Sequence, residues 1–372
     1  MKKFLAMLSA AVALAAIALN AQQAPAAAGG IEVLHVRGNV YVLFGAGGNI
    51  VVSAGQDGVL VVDTGTSDKT DAVLAAIRQV QRLIDERNAA LAAIQPRWGA
   101  ETRSTVIRDR DTDAPAKPIR YLVNTSADAE HVGGNEKLST AGRTFTGGNV
   151  AGDIRDAAMG AAILAHENVV VRMTEPRAGQ PAPTTRALPT DTYYVDTMKL
   201  SHFFNGEGVQ LFYAPAGHTD GDSIVYFRGA DVIAAGDIFS SDTYPIIDVA
   251  RGGSINGVIA GLNHILDLTF AEFRSEGGTM VVPGHGRIGD SADVAYYRDM
   301  VTIIRDRIQD MIKKGMTLDQ VKAAKPTVDY DGRFGATSGR WTTNQFIDAA
   351  YRSLAPKPTP APAGAAPRGR TE

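Results

Sequence analysis

The sequence contains no cysteine among its 372 residues. This absence excludes disulfide bonds and thiolate metal ligands, so the hydrophobic core has to stabilise the fold, together with any metal that is bound. Metal ligands, if present, must be His, Asp or Glu side chains. With 45% hydrophobic and 21% charged residues, the composition is that of a globular protein, arranged as one large domain or two smaller ones.

An excess of charge of either sign is also missing. The chain has 37 basic and 40 acidic residues, a formal net charge of -3, and no basic block. We therefore expect neither nucleic acid nor an anionic membrane surface as a partner. A small-molecule substrate fits this composition better, and the sequence leaves the oligomeric state open.

Long hydrophobic runs are missing except at the N-terminus. Two lysines precede an apolar stretch that ends at Leu19, and Ala21 is a small residue suited to cleavage. This order is typical of a secretory signal peptide. We therefore expect residues 1–21 to be a cleavable signal that exports the protein to the periplasm or the extracellular space. A retained membrane anchor is the alternative, and residues 22–30 are predicted to be a linker.

The remaining pattern alternates between strands and helices. Four β-rich runs with Gly-containing turns between them predict an antiparallel meander over residues 31–65. Apolar runs predict further strands at 119–124, 169–173, 209–214, 223–227, 231–235 and 279–282. Helical spacing predicts helices at 68–93, 154–166, 255–268 and 294–314, with a short helix after Thr317.

Three domain-level segments follow from this pattern. We predict a main domain over residues 31–295 and a helical extension packed on it over residues 296–355. The tail over residues 356–372 is too rich in Pro, Ala, Gly and Arg to be ordered.

Candidate chemistry lies in four turns, each placed directly after an apolar strand. The turns are Asp128-Ala129-Glu130-His131-Val132-Gly133-Gly134-Asn135, Gly217-His218-Thr219, Gly236-Asp237 and Pro283-Gly284-His285-Gly286. Polar side chains on short loops at one edge of a sheet can converge on a single ion. The chain's other histidines lie outside these turns, and we interpret them as packing or surface residues: His35, His166, His202 and His264.

These turns, preceded by Asp63-Thr64-Gly65, occur in an order that resembles the metallo-β-lactamase superfamily over residues 31–290. The resemblance implies the α/β (α+β) class and an αββα sandwich, in which two mixed β-sheets are flanked by helices. It also implies a metal centre at one edge of the sandwich.

The first motif departs from the pattern of that family. Where the family usually has His-x-His-x-Asp-His, this chain has Ser126, Asp128, Glu130 and His131. The resemblance implies two sites, with Asp237 between them. The first site is Ser126, Asp128 and His218; the second is Glu130, His131 and His285. Serine is a poor neutral ligand for a divalent ion, so the first site is incomplete, whereas the second keeps a full set.

This ligand set predicts the cofactor and the reaction. We expect one or two zinc ions, and the carboxylate-rich set also suits manganese or iron. The expected activity is hydrolysis of an ester, thioester, lactone or β-lactam bond by a metal-bound hydroxide, with Glu130 and Asp237 as catalytic carboxylates. The alternative is a metal-binding protein that lost catalysis together with its first-site histidines.

Several neighbouring residues are given supporting roles. Asp63 is expected to orient a ligand, while Thr219 and Asp222 are expected to stabilise a turn. Asp128 is open to a second interpretation as a helix cap, and Ser126 to one as a turn residue. Three residues are predicted at the rim of the site, where they would contact substrate: Tyr244, Arg251 and Arg287.

Overall fold

Two mixed β-sheets lie face to face at the centre of the structure. The computed structural model describes residues 30–94, 117–143, 160–176, 179, 181–200, 202–270 and 277–355. Within these residues, the first sheet has seven strands in the order β1 to β7. They are β1 (Glu32–Arg37), β2 (Val40–Ala46), β3 (Gly48–Gly55), β4 (Gly58–Val62), β5 (Ile119–Val123), β6 (Ala162–His166) and β7 (Asp191–Tyr193). Strands β1 to β4 are antiparallel, and β4 to β7 are parallel.

The second sheet has five strands among the described residues, in the order β12-β11-β10-β9-β8. They are β8 (Thr197–Lys199), β9 (Val209–Ala214), β10 (Asp222–Phe227), β11 (Val232–Ala234) and β12 (Met280–Val282). Only the β11/β12 pair is parallel. Because β10 is antiparallel to both of its neighbours, β9, β11 and β12 all run in the same direction.

Helices lie outside both sheets. They are α1 (Thr70–Ile94), α2 (Ala129–Val132), α3 (Asn135–Ala141), α4 (Glu167–Thr174), α5 (Ile255–Leu268), α6 (Ser291–Lys313), α7 (Leu318–Ala324), α8 (Asp331–Phe334) and α9 (Thr343–Leu354). In the part of the chain that the structure describes, none of the helices is both long and apolar enough to cross a membrane.

Alternating strand residues build three layers of core. Val42 and Leu60 face the second sheet and pack in a cluster with Val225. The opposite face of the first sheet packs on α1, where Ile77 is buried. Likewise, the outer face of the second sheet packs on α5, α6 and α9, where Phe346 is buried. The αββα sandwich expected from the sequence is therefore confirmed.

Two adjoining elements differ from the sequence prediction. Residues 162–166, predicted as the end of a helix, form strand β6, and residues 169–173, predicted as a strand, lie within helix α4. Strand β6 is buried on both faces between β5 and β7, and a short apolar run of this kind has no periodicity that separates strand from helix. His166 then caps α4 by accepting the backbone N–H of Asn168 at its Nδ1.

Other sequence predictions fall outside the described residues. They include the signal peptide, most of the linker, residues 154–159 of the predicted helix, and the tail. The boundary at residue 295 also stays a prediction, and helix α6 runs across it.

Candidate metal centre

The four predicted turns meet at one edge of the sandwich. Strands β4 and β5 of the first sheet are parallel to each other, as are β9, β11 and β12 of the second, so each set presents its C-terminal ends together. Asp237 follows β11 in a 3-10 turn, and His285 follows β12. The order of strands thus gathers residues that are more than a hundred positions apart in sequence, such as His131 and Asp237.

One cluster contains the residues of the site that the family resemblance implies for Glu130, His131 and His285. Glu130, His131, Asp237 and His285 each offer a ligand atom, and these atoms all lie within 4.8 Å of one another. His131 Nε2 is 3.1 Å from Asp237 Oδ2. His285 Nε2 is 3.5 Å from Asp237 Oδ1 and 3.6 Å from Glu130 Oε1. We call this set the Glu130 cluster.

A second cluster shares Asp237 with the first. Asp128, His218 and Asp237 also offer ligand atoms within 4.8 Å of one another. His218 Nε2 is 2.6 Å from Asp128 Oδ2 and 3.6 Å from Asp237 Oδ2. This set is the Asp128 cluster, and Asp237 lies between the two clusters, as the sequence implied.

The side chains of Ser126 and Asp128 have different roles. Ser126 Oγ accepts the backbone N–H of Asp128 at 3.3 Å, which is the turn role considered for it. The Asp128 carboxylate makes no capping hydrogen bond to helix α2. It pairs instead with His218 and with Arg251, whose guanidinium lies 2.5 Å from Asp128 Oδ1. Both carboxylate oxygens of Asp128 therefore already have partners.

Each histidine at the junction is oriented through its other ring nitrogen. Asp63 Oδ2 lies 2.8 Å from His131 Nδ1, and it is also held by Thr125 Oγ1 at 2.7 Å. The backbone carbonyl of Ile246 lies 2.9 Å from His218 Nδ1. With Nδ1 donating to these oxygens, Nε2 of each ring is directed at the clusters, which is the usual arrangement around a metal-bound histidine.

The turn that carries His285 is held by a residue that sequence reasoning missed. Asn49 lies in β3 of the opposite sheet, and its side-chain amide donates to the carbonyls of Pro283 and Gly286, each at 2.9 Å. Its backbone N–H also donates to the carbonyl of Gly284 at 2.8 Å. No local pattern around Asn49 indicates this role, because its partners are more than 230 residues away.

Gly284 permits the close approach of Asp237. A Cβ atom at position 284 would collide with Asp237 Oδ1 and with the backbone of Gly236. Only glycine fits between these groups, so the Gly-His-Gly turn brings the Asp237 carboxylate and His285 together.

Charge in the two clusters is strongly coupled. Burial alone would lower the pKa of His218, but the hydrogen bond to Asp128 and the charge of Asp237 outweigh it and raise that pKa to about 9. Burial alone would also lower the pKa of His131, but the charges of Asp63 and Asp237 outweigh it and raise that pKa well above its usual value. Conversely, burial would raise the pKa of Asp237, but His131 and His218 hold it far below its usual range. Protons on the histidines thus balance the buried carboxylates.

Unpartnered polar atoms mark where a cation fits. Among the described residues, Glu130 Oε1, Asp237 Oδ1 and His285 Nε2 are buried without a hydrogen-bond partner. Glu130 Oε1 does form an ion pair with Arg340, whose side chain lies at the surface. Leaving such an atom unsatisfied costs about 1–3 kcal/mol, and a cation among the three would satisfy them together. All three atoms belong to the Glu130 cluster, so the residues present fit a metal ion there.

A cleft of about 820 Å³ opens onto both clusters. Asp128, Glu130 and His218 line it. Its lining also includes Arg340 and Trp341, which precede helix α9 and which sequence reasoning did not connect with the site.

The three residues predicted at the rim differ in their positions. Arg251 lines the cleft and pairs with Asp128. Tyr244 is only 1% exposed and its hydroxyl donates to Asp331 Oδ1 and the carbonyl of Thr327, so the prediction of a rim position is wrong for it. Arg287 pairs with Asp293 and does not line the cleft.

Comparisons with known proteins give a family model and several solved structures to which this chain is similar. A sequence model described as the metallo-beta-lactamase superfamily matches residues 38–285. No curated protein matches the sequence. Among solved structures, a metallo-beta-lactamase from Pontibacter korlensis is similar at 13% identity and a TM-score of 0.47, over 73% of this chain and 99% of that one. A stereoselective inverting sec-alkylsulfatase from Pseudomonas sp. is similar at 14% identity and a TM-score of 0.50, over 86% of this chain and 49% of that one.

At such low identities the structural likeness shows the fold alone. The match to the family model is independent of it, covers two thirds of the chain, and includes every turn of the candidate centre. The chain therefore belongs to the metallo-beta-lactamase superfamily.

Proposed function

We propose that this protein is an exported metal-dependent hydrolase that cleaves an ester, thioester, lactone or β-lactam bond of a small molecule. The superfamily contains hydrolases such as beta-lactamases and sulfatases, and its members usually bind metal ions. The observation that carries the proposal is the set of three buried atoms of the Glu130 cluster that lack a hydrogen-bond partner among the described residues, beside an open cleft.

Glu130, His131, Asp237 and His285 would hold one metal ion, for which zinc is the first candidate and manganese or iron also suit the carboxylates. When bound, such an ion supplies Lewis acidity that polarises a carbonyl and lowers the pKa of water. Among the described residues, Glu130 and His285 each have a buried side-chain atom without a hydrogen-bond partner, whereas Asp128 and His218 have none. This difference favours a single ion in the Glu130 cluster.

The chain's own residues supply the rest of the chemistry. Asp63 fixes the His131 ring through Nδ1. Asp237 holds negative charge at the junction of the clusters, with Oδ1 beside His285 and Oδ2 between His131 and His218. His218 lines the cleft with a hydrogen bond to Asp128, so this pair can hold a proton at Nε2 and deliver it to a leaving group.

A non-catalytic metal-binding protein is the second candidate. It is favoured by one observation, namely that Ser126 and Asp128 are engaged with the protein itself where the family usually has metal-binding histidines. Such a protein would keep an ion in the Glu130 cluster without turning over substrate.

Metal analysis combined with a hydrolysis panel separates the two functions. The purified protein would be assayed with zinc, manganese or iron against aryl esters, thioesters, lactones, β-lactams and sulfate esters, with the metal-free protein as control. The proposal predicts turnover of at least one carbonyl compound that is lost on chelation and restored by metal. Tight metal binding without turnover in any class would support the non-catalytic alternative instead.

Export is tested separately. We expect the protein recovered from the periplasm or culture medium to begin close to residue 22, because cleavage after Ala21 removes the signal. Mass spectrometry of the intact protein measures this. Recovery of the full-length chain in the membrane fraction would favour a retained anchor.

A further inference from the structure

Part of the cleft lining comes from residues after 285, where the family match ends. Three cationic side chains of this segment line the cleft: Lys322, Arg340 and Arg352. Cationic side chains beside a metal centre favour the entry of anionic substrates, provided that the cations are not already neutralised.

Most cations that line the cleft are neutralised by fixed carboxylates. Lys322 and Arg352 both pair with Asp348. Arg251 pairs with Asp248 at 2.6 Å and with Asp128. The partner that the structure shows for Arg340 is different, because Glu130 is itself a candidate metal ligand.

A cation in the Glu130 cluster would separate Arg340 from its partner. The guanidinium forms an ion pair with Glu130 Oε1, one of the three atoms of the cluster that lack a hydrogen-bond partner among the described residues. A metal ion on this oxygen repels the guanidinium and takes over the negative charge that it neutralised. The Arg340 side chain is 57% exposed, so it can turn into the cleft without disturbing the core. A free guanidinium there presents planar N–H donors that suit a carboxylate or a similar oxyanion.

The residue next to Arg340 supplies an apolar surface. Trp341 Nε1 donates to the carbonyl of Pro245 at 3.1 Å, which fixes the indole ring against the cleft. Ile247 and Val249 line the same cavity. The cleft therefore combines the guanidinium of Arg340 with an apolar lining of one aromatic and two aliphatic side chains.

We propose that Arg340 is the specificity-determining residue of the cleft, and that it binds an organic oxyanion on a substrate whose apolar body lies against Trp341. This inference rests on the proposed function, because it places the substrate in the cleft beside the Glu130 cluster. It defines the substrate as an anion that carries the scissile bond at a distance from its charge.

Calorimetric titration of the zinc-loaded full chain tests the inference without turnover. The probes are phenylacetate, benzenesulfonate and the neutral phenylacetamide. The variants are Arg340→Ala, Arg340→Lys and, as a control, Arg333→Ala, which removes an arginine of the same segment whose guanidinium lies over Tyr296. We expect the wild type and Arg333→Ala to bind phenylacetate at least tenfold more tightly than phenylacetamide. Arg340→Ala should lose this preference, and Arg340→Lys should keep part of it.

Benzenesulfonate distinguishes the kinds of oxyanion. Binding of both anions through Arg340 supports an oxyanion site of broad chemistry, and binding of phenylacetate alone supports a carboxylate site. Equal affinity of phenylacetate for the wild type and Arg340→Ala would overturn the inference, because the carboxylate would then lie on the metal or elsewhere.

Failure of the inference and failure of the proposed function give different results. Hydrolysis of neutral and anionic esters with the same preference in the wild type and Arg340→Ala contradicts the inference but leaves the hydrolase intact. Anion binding that depends on Arg340, without hydrolysis of any compound, contradicts the hydrolase but leaves the oxyanion site intact.

Discussion

At the scale of single residues, Asp237 connects the two ligand clusters, and its environment shows what sequence could and could not predict. The family resemblance implied a position for Asp237 between two sites, and the structure brings its carboxylate to His131, His218 and His285. The sequence did not reveal Asn49 or Arg340. Their roles depend on contacts between distant segments, and neither residue stands in a pattern that indicates chemistry.

Asp63 provides a test of ligand orientation. Asp63 accepts the backbone N–H of Thr125 at Oδ1 and the His131 ring at Oδ2, and Asp63→Asn keeps only one of these two acceptor oxygens, so the His131 ring loses its fixed orientation. We expect zinc affinity to fall by about 10–100-fold with the fold retained. Competition with a chromogenic chelator measures the affinity. The exposed Asp68→Asn serves as the control, and an unchanged affinity in Asp63→Asn would refute the orienting role.

Protonation of the histidines predicts how metal binding depends on pH. The pKa of His131 is raised well above its usual value, and that of His218 to about 9, so both rings carry protons at neutral pH in the metal-free protein. A metal ligand must be neutral imidazole, so zinc has to displace a proton from His131. Zinc affinity should therefore rise as pH increases from 6 to 9, with release of about one proton per ion at pH 7.

Calorimetry in two buffers of different protonation enthalpy measures this release. Identical apparent enthalpies in the two buffers would mean that no proton leaves, contrary to the account.

At the scale of elements, most helices and strands were predicted close to where the structure has them, and two adjoining elements were not. Helix α5 and strand β9 have the predicted bounds, because a capping serine and a clear alternation mark them. By contrast, the residues of β6 were predicted as the end of a helix, and most residues of α4 were predicted as a strand. Burial on both faces removes the alternation of a strand, and the β-branched run Val169–Val171 is overridden by the cap and by packing.

Helix α9 allows a test of how the C-terminal segment is integrated. Phe346 is fully buried and stacks on Tyr244 with ring centroids 4.7 Å apart. Phe346→Ala should lower the free energy of unfolding by about 3–5 kcal/mol, because it leaves a cavity beneath the cleft. Urea unfolding measures the change, with the exposed Lys314→Ala as a control expected to stay within about 0.5 kcal/mol. A loss below about 1 kcal/mol for Phe346→Ala would indicate that α9 is not part of the same core.

At the scale of the whole molecule, the order of the turns carried the resemblance to the family, and that resemblance implied the sandwich. Distances and pairings were not predictable, since they depend on how two sheets pack across a core of side chains. The structure adds an asymmetry among the described residues: Glu130 and His285 each have a buried atom without a hydrogen-bond partner, whereas Asp128 and His218 have none.

Metal stoichiometry of two variants tests this asymmetry most directly. Inductively coupled plasma mass spectrometry would be applied to the wild type, Glu130→Ala and His218→Ala after zinc loading and removal of excess metal, with circular dichroism to verify folding. The account predicts about one ion per chain for the wild type, loss of most of it in Glu130→Ala, and little loss in His218→Ala. Equal losses in the two variants would instead indicate a coupled dinuclear centre and contradict a single ion in the Glu130 cluster.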